Sequence, residues 1–109
     1  MVRQGDIIQL SFNPVAGNEQ AGYRPAIVVS NNTVISKTHI VSVCPITRSH
    51  EKNLLTVLLD EKTKTQGVVL CAHQRSVDLK ARAYKIIEQV PDDKLFEVIR
   101  LLASMIAPS

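Results

Sequence analysis

A chain of 109 residues makes one domain and not two, and 45% hydrophobic residues supply a modest core with a small margin of stability. No stretch approaches the roughly 18 apolar residues that span a bilayer, which argues against a transmembrane protein. The first five residues hold one arginine and no apolar run of signal-peptide length, so a soluble, cytoplasmic chain is expected, its small core completed by a homodimer.

The chain begins with a period of two. Ile8, Leu10 and Phe12 alternate with Gln9 and Ser11, as in a half-buried strand. Residues 13–22 contain Pro14, Gly17 and Gly22 without periodicity and read as a loop. Residues 26–29 form a continuous β-rich run that predicts a strand buried on both faces, with Pro25, which lacks a backbone donor, at its start or edge. Residues 31–38 are a polar link with room for a single helical turn. Further strands are predicted over 40–44, 54–59 and 68–72, a polar turn over 62–67, and a last strand along Tyr84, Ile86 and Glu88.

The period then changes. Leu95, Val98, Ile99, Leu102, Met105 and Ile106 recur at i, i+3, i+4 and i+7, one face of a helix. Pro91 suits its first position, and Asp92 and Asp93 complement the positive end of its dipole. Burial of those six side chains would contribute on the order of 10–15 kcal/mol before ordering entropy is subtracted. Phe96 and Leu101 fall off the stripe and leave apolar surface for a second subunit. The expected fold is mainly β: a small, SH3-like antiparallel barrel with a C-terminal helix, filling residues 1–109 as one domain.

The net charge of +3 says less than its distribution. Between residues 20 and 50 stand Arg24, Lys37 and Arg48 and no acid; between 62 and 85 six basic residues face one acid, Asp78. The acids collect at Glu88, Asp92, Asp93 and Glu97. A basic body suits a polyanionic ligand, although a solvated charged surface has the same composition. Cys44 and Cys71 lie inside apolar runs, outside any metal-binding spacing, and read as buried reduced thiols, with a disulfide or metal pair as the alternative. His39, His50 and His73 are too scattered to suggest a metal centre, and no cofactor is expected.

Three polar clusters interrupt the β pattern where neither a core nor a plain turn requires them. Residues 17–25 deliver Arg24 to the start of a buried strand; Pro45-Ile46-Thr47-Arg48 follows a strand; His73-Gln74-Arg75-Ser76-Val77-Asp78 follows another. Strand ends on a rigid scaffold are where sites commonly assemble. Each cluster alone has a plain structural explanation: a surface ion pair for Arg24, a turn threonine at Thr47, pairing of Asp78 with Arg82 or Arg75.

In this order and spacing the motifs resemble the MazF/PemK family of toxin ribonucleases. The resemblance runs through Gly5-Asp6-Ile7, Asn13-Pro14, Gly17, Glu19-Gln20, Gly22, Arg24-Pro25-Ala26, Val28-Val29-Ser30, Pro45-Ile46-Thr47, Gln74, Arg75-Ser76-Val77-Asp78 and Arg82. It implies a homodimer that cuts single-stranded RNA at short motifs without a metal, leaving 2′,3′-cyclic phosphate and 5′-hydroxyl ends, and that a small antitoxin protein neutralises. Arg24 matches the family's catalytic arginine, whose permanently charged fork suits phosphate oxygens. Thr47 matches its catalytic threonine, a hydroxyl donor for the phosphate or leaving group. Glu19, Gln20, Arg48, Gln74 and Arg75 are expected to line the RNA site, and the loops over 13–22 and 48–53 to choose the bases.

One departure stands out. Relatives frequently carry an acid where this chain has His73, and the arginine of one branch is replaced by Cys71, so that branch's acid–base pair does not transfer. An imidazole exchanges protons near neutral pH, which gives His73 its own claim to the base; a histidine merely lining the groove fits as well. A gyrase poison of the same fold is the nearest rival, but its action resides in a tryptophan-containing end, and this chain has no tryptophan. An inactive binding module of the same fold is the other.

Overall fold

The computed structural model describes residues 1–11, 23–49 and 52–109. Its strands are β1 (Asp6–Ser11), β2 (Tyr23–Val28), β3 (Ile40–Thr47), β4 (Thr56–Leu58), β5 (Val68–Leu70), β6 (Arg75–Asp78) and β7 (Tyr84–Gln89). Helix α1 (Asn32–Thr38) precedes β3, and α2 (Asp92–Ile106) closes the chain. The strands pair in the order β4-β5-β3-β2-β1-β7, with β6 added to β3, and every pairing is antiparallel. The expected mainly antiparallel fold with a C-terminal helix is therefore present. The barrel is approximate, because the path from β4 to β7 does not close among the described residues.

Strands β1, β2 and β3 form the centre, and both of their faces are covered. Successive side chains of a strand point to opposite faces, so neighbouring residues enter different cores. Ile7, Ile27, Cys44 and Ile46 join Val57, Val69 and Val98 in one cluster, against which α2 packs Leu95, Ile99, Leu101 and Leu102. Ile8, Leu10, Ala26, Val28, Val41 and Val43 join Ile35 of α1 and Val77 of β6 in the other. This is why residues 26–29 read as an unbroken apolar run.

Several expectations need correction. Pro25 is the third residue of β2, opposite Gln9, not its first; its missing donor falls just before Ala26↔Pro45, where pairing to β3 is recorded. Residues 45–47 continue β3 and do not follow it, since Ile46 and Thr47 pair with Val69 and Val68 of β5. Residues 75–78 are strand β6 and not a strand-end loop, with Arg75 opposite Val43 and Asp78 opposite Ile40. The fifth strand stops at Leu70, and Cys71–His73 form a 3-10 turn. Residues 32–38 make a seven-residue helix, capped where the Asn31 side chain accepts from the Val34 amide at 2.9 Å.

On α2, Pro91 is the N-cap residue and Val98 is fully buried, but Met105 and Ile106 remain 39% and 85% exposed. The burial energy of the stripe is accordingly smaller than six buried side chains would give. Leu101, expected off the stripe, packs on the core, whereas Phe96 is exposed as anticipated. Cys44 and Cys71 are free, buried thiols in one cluster, and contact with Cys71 together with burial pushes the Cys44 thiol up, keeping it protonated. Asp78 caps the next 3-10 turn by accepting from the Lys80 amide at 2.9 Å, and Arg82 donates to the Ser11 carbonyl at 2.7 Å.

Candidate nucleic-acid interface

The register of the central strands assembles the site. Leu10 lies opposite Arg24, and Ala26 lies opposite Pro45. The β2–β3 pairing ends at Ala26↔Pro45, two residues after Arg24 and two before Thr47, so Arg24 and Thr47 lie at the same end of these two strands. Two motifs 23 positions apart in sequence thus meet because β2 and β3 are antiparallel neighbours. Both line an open groove of about 560 Å³, together with Arg48 and Ser49 beyond β3, Gln9 of β1, Ile87 of β7 and Lys64, Thr65 and Gln66 from the turn between β4 and β5.

The groove has one sign of charge. Arg24, Arg48 and Lys64 line it, and no carboxylate does among the described residues. Converging cations on low-dielectric walls raise the local concentration of anions. The Thr47 hydroxyl lies 2.9 Å from that of Ser49 and accepts from the Ser49 amide at 3.2 Å. With that lone pair engaged, the Thr47 proton is directed either to Ser49 or to a ligand. Three hydroxyl residues (Thr47, Ser49 and Thr65) and three cations, with no carboxylate among the described lining residues, suit the oxygens of a phosphodiester better than a divalent metal ion.

Backbone contacts fix the Thr47 wall. Gly67 has φ +122° and presses on the Thr47 peptide so closely that a Cβ there would collide with the Thr47 carbonyl oxygen. The turn before it is held from below by Glu88 of β7. Its carboxylate accepts from the Lys64 amide at 3.0 Å, the Thr65 amide at 2.8 Å and the Thr65 hydroxyl at 2.8 Å. Burial pushes the Glu88 carboxyl up, but these hydrogen bonds and the Lys64 charge outweigh it and hold it below its ordinary value.

Of the residues anticipated from sequence, the structure brings Arg24, Thr47 and Arg48 together in this groove. It does not bring His73, Gln74 or Arg75 to the groove wall. His73 ends the 3-10 turn and Arg75 opposes Val43, four residues from Thr47 and thus about 13 Å along β3 at ~3.3 Å per residue. Glu19 and Gln20 lie outside the described residues. Ser49 was anticipated only as part of the base-choosing loop over 48–53, and Gln9, Lys64, Thr65 and Gln66 were not anticipated. The one sequence signal for the last three was a glycine, Gly67, closing a polar turn, which can mark a close backbone approach.

The fold that carries this groove has known relatives. A family described as "PemK-like, MazF-like toxin of type II toxin-antitoxin system" matches residues 3–106. The chain belongs to this family. It is 31% identical to Endoribonuclease PemK of Escherichia coli, over 96% of this chain and 82% of that protein. MazF of Deinococcus radiodurans, in a crystal structure, is 35% identical with TM-score 0.81, covering 95% of this chain and 94% of the other. A MazE–MazF crystal structure from the same organism gives TM-score 0.87 at 32% identity, covering 99% and 98%. The groove therefore sits on a toxin-family fold along nearly its whole length.

Proposed function

We propose that this family member is the toxin of a type II pair and acts as an endoribonuclease that cuts single-stranded messenger RNA, inhibiting translation and growth. The observation that carries this reading is the groove that Arg24, Arg48 and Lys64 line together with Thr47, with no carboxylate among its described lining residues. In the cleavage the RNA's own 2′-oxygen attacks phosphorus, the bond to the 5′-oxygen breaks, and the products are a 2′,3′-cyclic phosphate and a 5′-hydroxyl. Arg24 stabilises the charge that grows on the phosphoryl oxygens, and Thr47 donates to a phosphoryl or leaving oxygen. The 2′-hydroxyl also needs a proton acceptor. None of the described groove residues is a base at neutral pH, so we place that role on Glu19 or His73, with Gln20, Gln74 and Arg75 contacting RNA farther from the scissile phosphate.

The partners follow from surface chemistry and from the relatives. Leu54, Phe96 and Ile106 are 87%, 60% and 85% exposed, a cost in water that a second copy of the chain would remove. Structures described as MazE–MazF complexes support an antitoxin partner, and the basic groove suits an acidic segment of it. No helix among the described residues is long and apolar enough to cross a membrane, and messenger RNA as substrate places the toxin in the cytoplasm.

The test is incubation of a long RNA with the protein in EDTA, followed by mapping of the fragment ends. Cuts at a short recurring motif, with cyclic phosphate on one side and 5′-hydroxyl on the other, are expected. Intact RNA across a wide range of protein concentration would sink the reading, and inhibition of gyrase in place of cleavage would favour the rival toxin.

A further inference from the structure

Residues 60–67, a plain polar turn by composition, are fastened in the fold far more firmly than a turn between two three-residue strands requires. Within the turn, the Thr63 hydroxyl donates to the Thr65 carbonyl at 2.7 Å and the Lys62 amide to the Asp60 carboxylate at 2.9 Å. At its base the Leu59 amide donates to the Gly67 carbonyl at 2.9 Å. From α2, Lys94 reaches the Leu58 carbonyl at 2.7 Å and Asp60 at 3.9 Å. From β7, Glu88 takes two backbone amides and a hydroxyl. Its far end is seated on the Thr47 peptide through Gly67.

The product of this fastening is the position of Lys64. The Glu88 carboxylate is occupied by amides and a hydroxyl; the Lys64 charge, near enough to help hold that carboxyl down, forms no salt bridge with it or with another described residue. Lys64 is exposed and lines the groove with Arg24 and Thr47, and Gln66 lines it beside Lys64. A cation carried on a fastened backbone binds with only its own side-chain ordering cost and none for the turn.

We propose that residues 61–66 form a further wall of the RNA groove, in which Lys64 contacts a phosphate next to the scissile one and Glu88 is a positioning residue for it. This assignment rests on the reading of the groove as a ribonuclease site. Lys64 contributes ground-state binding of the strand and not the charge relief at the reacting phosphorus, so its loss is read in KM. Glu88 does not touch RNA; it acts only through the loop.

The experiment measures cleavage of one RNA by the full-length wild type, Lys64→Ala, Glu88→Ala, Glu88→Gln and the Lys64→Ala/Glu88→Ala double variant, at several salt concentrations. Lys64→Ala should lower kcat/KM about 5–20-fold, carried by KM, as expected for one lost charge-assisted phosphate contact. Its dependence of log(1/KM) on log salt should flatten by about 0.7, the share of one phosphate contact on a single strand. Glu88→Ala should raise KM in the same sense, Glu88→Gln should recover part of it, and the double variant should be no worse than Lys64→Ala within about 2-fold. Wild-type KM and salt slope in Lys64→Ala would overturn the assignment, as would fully additive effects in the double variant. If the wild type itself leaves the RNA intact, the ribonuclease reading falls and the loop assignment falls with it. If the wild type cuts and Lys64→Ala matches it, only the loop assignment falls.

Discussion

Replacing Gly67 by alanine adds one methyl group at the point where the β4–β5 turn meets the end of β3. That Cβ would lie 2.7 Å from the Thr47 carbonyl carbon and 3.2 Å from the Arg48 amide nitrogen, besides colliding with the Thr47 carbonyl oxygen. All of these are backbone atoms, so no side chain can swing away. The backbone angle of +122° is one that residues with a Cβ rarely adopt, a strain of about 1–3 kcal/mol. Relief requires Gly67 and Thr47 to separate, which pulls on the Thr47↔Val68 pairing and on the Leu59-to-Gly67 hydrogen bond, worth roughly 1 kcal/mol each. The variant should lose about 3–5 kcal/mol, enough to lower Tm by more than ~10 °C in a domain of this size. At temperatures where it is still folded, displacement of Thr47 should cost on the order of 10²-fold in RNA cleavage. Tm by calorimetry and kcat/KM on one RNA measure both effects. A variant that melts and cuts like the wild type would refute the claim that this glycine seats the turn on Thr47.

The remaining predictions concern the charges and the base. Arg24→Ala should lower cleavage by on the order of 10²–10³ while Tm stays near the wild-type value, because the side chain is exposed and forms no ion pair among the described residues; full activity would remove Arg24 from the mechanism. His73→Gln should leave the pH profile of cleavage unchanged if Glu19 is the base, which the absence of His73 from the described groove lining favours; loss of the acidic limb would instead make His73 the base. Glu88 has a folded-state value held below its ordinary 4.5, so its contribution to stability is complete above that pH and is lost as pH falls through the lowered value. Wild type should therefore exceed Glu88→Gln in urea midpoint at pH 6, and the gap should close towards pH 3. A gap that persists unchanged would show that the Glu88 charge is not what holds the turn.

Local pattern carried most of the fold. The alternation at Ile8 and Leu10, the doubly buried run at 26–29 and the helical stripe from Leu95 were all readable, because each depends on a side-chain period and on burial. Boundaries were less readable at Thr47 and at 75–78. There polar residues lie in strands because β5 and β6 supply the partners, and a partner distant in sequence leaves no local mark.

The sequence by itself determined the family and, with it, the expectation that Arg24 and Thr47 handle phosphate, since several motifs in order and spacing recur along nearly the whole chain. Only the tertiary structure decided what stands beside them. It brought Arg24 and Thr47 to the same end of neighbouring strands and into one groove, left His73 to Arg75 out of that groove's described lining, and brought in Lys64, Thr65 and Gln66 from a turn of ordinary composition. The reason is physical: a side chain's period along its own strand is written locally, whereas the neighbours it meets across a sheet depend on register and on backbone contacts such as that of Gly67 with Thr47.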